Sequence, residues 1–140
     1  MARIKIELPE KKLFTIELAV RITDINYGNH LGNDSLVSIL HEARMRWLRS
    51  LTYTELNIDG TGLIMSDLAV EYTAESFYGD KLTITIFVDD ISAAGFDLYY
   101  SITNQNELSI AKAKTGMVCY NYEKKKVVSI PGALRAILSP

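Results

Sequence analysis

Asp34-Ser35-Leu36-Val37-Ser38-Ile39-Leu40-His41-Glu42-Ala43-Arg44-Met45-Arg46-Trp47-Leu48-Arg49-Ser50-Leu51 is the long stretch of this sequence whose apolar residues repeat at helical spacing. Leu36, Ile39, Leu40, Ala43, Trp47, Leu48 and Leu51 fall three and four apart, which predicts one amphipathic helix over residues 34–51. Asn33 or Asp34 is the expected N-cap, because a short polar side chain there accepts from first-turn N–H groups. Arg44, Arg46 and Arg49 lie toward its C-terminal half, where positive charge complements the helix dipole.

On either side of this helix the period drops to two. Phe14, Ile16, Leu18, Val20 and Ile22 alternate over about Leu13 to Ile22, a strand pattern. Turn formers then crowd the approach to the helix: Asp24, Asn26, Gly28, Asn29, Gly32 and Asn33. Beyond the helix, Asp59-Gly60-Thr61-Gly62 reads as a loop leading to a strand over about Leu63 to Thr73. Turns at Gly79-Asp80, Ala93-Ala94-Gly95 and Asn104-Gln105-Asn106 separate three further alternating runs. These are Leu82 to Val88, Phe96 to Ile102, and the longest, residues 108–122, with Ala111, Ala113, Thr115, Met117 and Cys119 on one face. Such spacing predicts consecutive antiparallel hairpins. The order is therefore a strand, one long helix and four antiparallel strands, an α+β chain whose sheet curves around its helix. Two open edges and uncovered apolar surface lead us to expect self-association, most simply a two-fold dimer.

Composition excludes several classes. With 140 residues, 48% hydrophobic and 23% charged, the chain predicts one compact domain over residues 1–140. A formal charge of −2 argues against a nucleic-acid partner. No apolar run reaches the roughly 18 residues of a bilayer span, so no membrane partner is expected. Met1 to Lys12 lacks the apolar core of a signal peptide, and Cys119 is the single cysteine, so a reducing cytoplasm is expected. With His30 and His41 as the two histidines, no zinc-type spacing exists and no metal is expected. Cys119 lies in the apolar run Met117-Val118-Cys119-Tyr120, which favours a packing role over a nucleophilic one.

Arg21-Ile22-Thr23-Asp24-Ile25-Asn26-Tyr27-Gly28-Asn29-His30-Leu31-Gly32-Asn33, followed by Leu40-His41-Glu42-Ala43-Arg44, resembles the signature of hot-dog-fold acyl thioesterases. The likeness is to the branch containing 4-hydroxybenzoyl-CoA-type thioesterases and the acyl-ACP thioesterases. Val70-Glu71-Tyr72, Tyr78-Gly79-Asp80 and the run Ala111 to Cys119 resemble the same family's strand patterns, and the likeness spans roughly residues 14–131. The resemblance implies a helix wrapped by a five-stranded antiparallel sheet, and dimers or tetramers with the site at a subunit interface. It also implies hydrolysis of an acyl thioester of coenzyme A or acyl carrier protein, without a further cofactor. One position departs: many relatives carry a catalytic carboxylate where this chain has Asn26, which orients water or donates a hydrogen bond but takes no proton at neutral pH.

Thioester hydrolysis needs an activated water and donors for the oxyanion that forms on the carbonyl. Gly32 and Asn33 precede the helix, where free N–H groups and the positive dipole end converge, and are the oxyanion candidates. Gly28 lets the backbone approach a ligand closely; with Tyr27 beside it and Tyr72, it is a candidate substrate contact. His30 is the best base by its ordinary pKa near 6.5. Asp24 either orients His30, acts directly, or simply accepts from nearby turn N–H groups. Glu42 is either the replacement carboxylate or the i,i+4 partner of Arg46. The lost acid at Asn26 leaves a rival reading open, a non-catalytic acyl-thioester binding module.

Overall fold

The structure is a computed structural model describing residues 2–140. The helix, α1, covers Asn33–Ser50 and buries Leu36, Ile39, Leu40, Ala43, Trp47 and Leu48, the stripe set by the sequence period. Its N-cap is Gly32, with no side-chain cap, so Asn33 and Asp34 already lie within the helix. The cause is tertiary: Gly32 is held from outside, its N–H donating to the Asp24 carbonyl at 2.9 Å, while its own carbonyl accepts from Leu36 at 3.0 Å.

Strands β1 (Lys11–Ala19), β2 (Gly62–Tyr72), β3 (Lys81–Asp89), β4 (Gly95–Thr103) and β5 (Ser109–Asn121) form one antiparallel sheet in the order β1-β3-β4-β5-β2. A two-residue strand, β6 (Lys126–Val127), adds to β5 and brings the sheet to six strands. The register aligns Ile16, Ile84, Ile102, Ala111 and Tyr72 in one row across the five long strands. The concave face carries Leu82, Ile84, Ile86, Leu98, Ile102 and Ala113, all fully buried with α1 in a single core.

Two features differ from the periodicity. β1 stops at Ala19 rather than continuing to Ile22, because Val20 leaves the ladder to exchange hydrogen bonds with Gly79 and Asp80. Ile22 instead opens a short 3-10 helix, Ile22–Asp24, and is exposed. At the other end a second helix, α2 (Gly132–Leu138), buries Leu134 and Leu138, and its Arg135 donates to the Ala93 carbonyl at 3.2 Å. Its seven residues are too few for periodicity to reveal.

One charged residue lies inside the core. Arg44 is 5% exposed. Its Nη1 donates to the Tyr100 hydroxyl at 3.1 Å, and that hydroxyl shares a 2.8 Å hydrogen bond with Thr115. Its Nε donates to Glu55 at 3.3 Å, and Glu55 also holds His41. Burial works against the guanidinium charge, but contacts with Tyr100 and Glu55 hold its pKa above the ordinary value. We expect Tyr100→Phe to cost about 1–3 kcal/mol in urea unfolding, because Arg44 and Thr115 each lose a buried partner.

Close backbone approach explains Gly95, where a Cβ would stand 2.6 Å from the Met117 carbonyl oxygen. Gly95→Ala should therefore lower stability by about 1–3 kcal/mol, read as a shift in melting temperature. Cys119 is fully buried, and burial pushes its thiol up to about 11, partly opposed by Arg135. It should resist an aromatic disulfide reagent in the native state and react fully once the chain is unfolded.

Candidate active site

The loop from Val20 to Gly32 is built from its own polar groups. The Asp24 carboxylate accepts from the Arg21 backbone N–H at 2.8 Å and pairs with the Arg21 guanidinium at 3.4 Å. Ile25 and Leu31 form a bridge, the Asn26 N–H donates to the His30 carbonyl at 2.9 Å, and Asn29 takes a left-handed φ of 64° at the tip. Asn26 Oδ1 accepts the Gly28 N–H at 2.9 Å, an Asx turn that fixes the side chain. Leu31 is buried, and its N–H donates to the Ser76 carbonyl at 2.7 Å, which docks the loop against the segment between β2 and β3.

This arrangement brings part of the expected constellation together. His30, Gly32 and Asn33 line one side of a cleft of about 290 Å³; Tyr72 and Glu75 stand across from them, and Leu36 and Ile110 give it an apolar lining. His30 Nδ1 lies 3.2 Å from the Leu31 carbonyl, so in the neutral ring Nδ1 carries the proton and Nε2 keeps its lone pair. Nε2 is 4.0 Å from Glu75. At Gly28 a Cβ would stand 3.2 Å from His30 Nε2 and 3.3 Å from Asn26 Oδ1, so Asn26 and His30 converge where this glycine leaves room. Because Asn26 Oδ1 is taken by the turn, its Nδ2 is the group left to donate.

Around the helix start, Gly32 and Asn33 differ. The Gly32 N–H is already bonded to Asp24, which corrects its expected part as an oxyanion donor, whereas Asn33 belongs to the uncapped first turn. The Tyr72 hydroxyl donates to the Asn33 carbonyl at 3.0 Å, tying β2 to the helix start. Burial and the nearby Asp34 charge push the Tyr72 phenol up.

Other expected residues lie elsewhere. Asp24 and Glu42 face a second cleft on the β1 side of α1, shared with Arg21 and Arg46. Glu42 pairs with Arg46 at 2.7 Å, and both side chains are about half exposed. Tyr27 is fully exposed and lines neither cleft. Glu75 and Ile110 were not singled out by sequence reasoning. No spacing signal links residues 35 or more positions from the loop, and only the sheet order brings them to it.

The chain matches the family described as thioesterase-like superfamily over residues 20–138. It is similar to the acyl-CoA thioesterase YbgC of Haemophilus influenzae, 23% identical over 126 residues that cover 88% of this chain and 92% of that protein. Among solved structures it superposes on a 1,4-dihydroxy-2-naphthoyl-CoA thioesterase from Synechocystis with a TM-score of 0.82 at 23% identity, covering 89% of this chain and 94% of the other. It also superposes on a Staphylococcus aureus protein in complex with CoA, with a TM-score of 0.82 at 18% identity, covering 96% and 85%. The structural likenesses carry the fold, and the family match, which spans most of the sequence, carries the membership. The chain belongs to the thioesterase-like superfamily, with the hot-dog architecture of a sheet wrapped around one long helix.

Proposed function

We propose that this chain hydrolyses acyl thioesters of coenzyme A, releasing the free acid and the thiol, at the cleft beside the N-terminus of α1. The observation that carries the reading is the convergence of Asn26 and His30 at Gly28, beside an uncapped helix start and an apolar-lined cleft. The names of its relatives, an acyl-CoA thioesterase and a protein bound to CoA, support the substrate class.

Each group has a part in this mechanism. The thioester carbonyl lies toward the first turn of α1, where the Asn33 N–H and the helix dipole favour negative charge on its oxygen. Asn26 Nδ2 donates to the carbonyl or to the attacking water. His30 Nε2 accepts the proton as water adds to the carbonyl carbon, and Glu75 holds the imidazolium that results. The tetrahedral intermediate then collapses, breaking the C–S bond, and His30 returns its proton to the departing thiolate. Tyr72 braces the helix start through the Asn33 carbonyl. Asp24 shapes the loop through Arg21 and Gly32.

The same reading includes a two-fold dimer. β1 and β2 are the open edges of the sheet, and β2 exposes Met65 and Leu68. The reducing cytoplasm expected from the single cysteine is the compartment we assign to it. One observation favours the rival binding module: Asn26 replaces an acid, while Asp24 and Glu42 are committed to arginine partners.

Thiol release from a panel of short, long and aromatic acyl-CoAs tests the proposal. Asn26→Ala and His30→Ala should each lower kcat by about 10²–10⁴, with melting temperatures close to that of the parent. Glu42→Ala should retain most of the turnover, because its partner is Arg46 in the other cleft. Retained activity in both Asn26→Ala and His30→Ala would remove this cleft from the chemistry. Tight binding of the acyl-CoAs without thiol release would establish the binding module.

A further inference from the structure

His30 is held at both ring nitrogens by a closed set of contacts. Nδ1 donates to the Leu31 carbonyl at 3.2 Å, and the Leu31 N–H donates in turn to the Ser76 carbonyl at 2.7 Å. Glu75, the residue before Ser76, stands 4.0 Å from Nε2. The position of Ser76 therefore sets both the docking of the loop behind the imidazole and the place of the carboxylate in front of it. Yet Ser76 lies in the connection from β2 to β3, residues 73–80, which is neither helix nor strand. Its start is tied to β5 by the Thr73 and Ala74 N–H groups, which both donate to the Ile110 carbonyl. Its end needs another anchor.

Asp80 supplies it. Oδ2 accepts from the Ser76 hydroxyl and from the Phe77 backbone N–H, each at 2.9 Å. Oδ1 accepts from the Gln105 side chain at 3.1 Å, in the turn between β4 and β5. Gln105 is fixed in its turn, since its amide oxygen accepts from the Lys81 N–H at 3.0 Å. Ser76 is 1% exposed, so without Asp80 its hydroxyl is a buried donor with no water to replace the partner. Burial pushes the Asp80 carboxyl up, but the hydrogen bonds from Phe77, Gln105 and Ser76 outweigh it and hold the pKa below its ordinary value. The group is thus a carboxylate, able to accept from all three.

The backbone of Asp80 reaches the other end of the same loop. Its carbonyl accepts from the Val20 N–H at 2.9 Å, where β1 gives way to the loop. Its own N–H donates to the Phe77 carbonyl at 3.0 Å, and Gly79, at φ 84°, closes that turn. Asp80 therefore meets the loop at Val20 directly and at Leu31 through Ser76. Asp24 braces the loop internally; Asp80 places the braced loop against Glu75.

We infer that Asp80 is a positioning residue for thioester hydrolysis, anchoring Ser76 so that Leu31 and Glu75 hold His30 between them. The inference rests on the thioester-hydrolase reading and adds to it a residue outside the cleft lining.

Thiol release from short, long and aromatic acyl-CoAs by the full chain tests it. Asp80→Ala should lower kcat by about 10–10²-fold with KM within about twofold of the parent, since a misplacement near 1 Å carries a loss of that order. Asp80→Asn keeps an oxygen for Ser76 and Phe77, forfeits only Gln105, and should recover most of the loss. In the His30→Ala background, Asp80→Ala should cost less than about twofold more, because its effect passes through the imidazole. A general loss of structure would instead multiply the two effects. Hydrogen exchange reads the anchor directly: in Asp80→Ala the Leu31 amide should speed up about tenfold relative to the amides of β3 and β4. If that chain fails to fold, Ser76→Ala removes only the hydroxyl tie and should show both effects at about threefold. Unchanged kcat in Asp80→Ala overturns the inference, as does an equal loss in the His30→Ala background, an Asn variant as slow as the Ala one, or unchanged Leu31 exchange. If the parent hydrolyses no ester, the enzyme reading falls, and Leu31 exchange decides the anchor separately: faster exchange sustains it, unchanged exchange overturns it.

Discussion

Coverage of the concave sheet face by α1 is the packing interaction on which the rest of the structure depends. Leu82, Ile84, Ile86, Leu98, Ile102 and Ala113 turn inward, and α1 is the one long helix available to bury them. Burial of this kind contributes roughly 1.5–3 kcal/mol for each large aliphatic side chain removed from water. The helix must therefore lie along the sheet with its N-terminus near the β2 end that carries Tyr72. This placement fixes where the uncapped N–H groups point, and so where the cleft forms.

The loop before α1 meets two demands through a small set of residues. It must leave β1 and enter the helix, which Asp24 manages by accepting from Arg21 through its side chain and from Gly32 through its carbonyl. It must also present Asn26 and His30 in fixed orientations, which the Asx turn at Gly28 and the Leu31 carbonyl achieve. Asp24 is spent on the scaffold, leaving the imidazole lining the cleft and the amide converging on it at Gly28. A polar loop with this many internal bonds is rigid enough to hold a reacting geometry.

The core carries a second polar assembly. Arg44, Tyr100 and Thr115 are each at most 5% exposed and depend on one another for partners. Removing any one leaves a buried donor or acceptor unpaired, which costs more than the bond itself gains. Their connection to Glu55 and His41 runs from the middle of the sheet to the exposed flank of α1.

The order of elements, the extent of α1 to within a residue and the alternation of four later strands were legible because each is a local periodicity. The loop motif likewise pointed to Asn26, His30 and Asn33. Glu42 with Arg46 and Asp24 as a turn acceptor were among the readings the sequence left open, because both partners are local. Roles that depend on distant partners were not legible: Arg44 reads as a charge complementing the helix dipole, and Glu75 carries no mark at all. Periodicity reports which face a residue takes, but not what the opposing element offers it. The sequence by itself determined the α+β architecture and the family motif, through spacing and residue type. Only the tertiary structure decided that Glu75 and Tyr72 face the helix start, that Gly32 rather than Asn33 caps it, and that Arg44 lies buried against Tyr100 and Glu55. Each of those outcomes depends on chain segments far apart in sequence, brought together when the sheet closes around the helix.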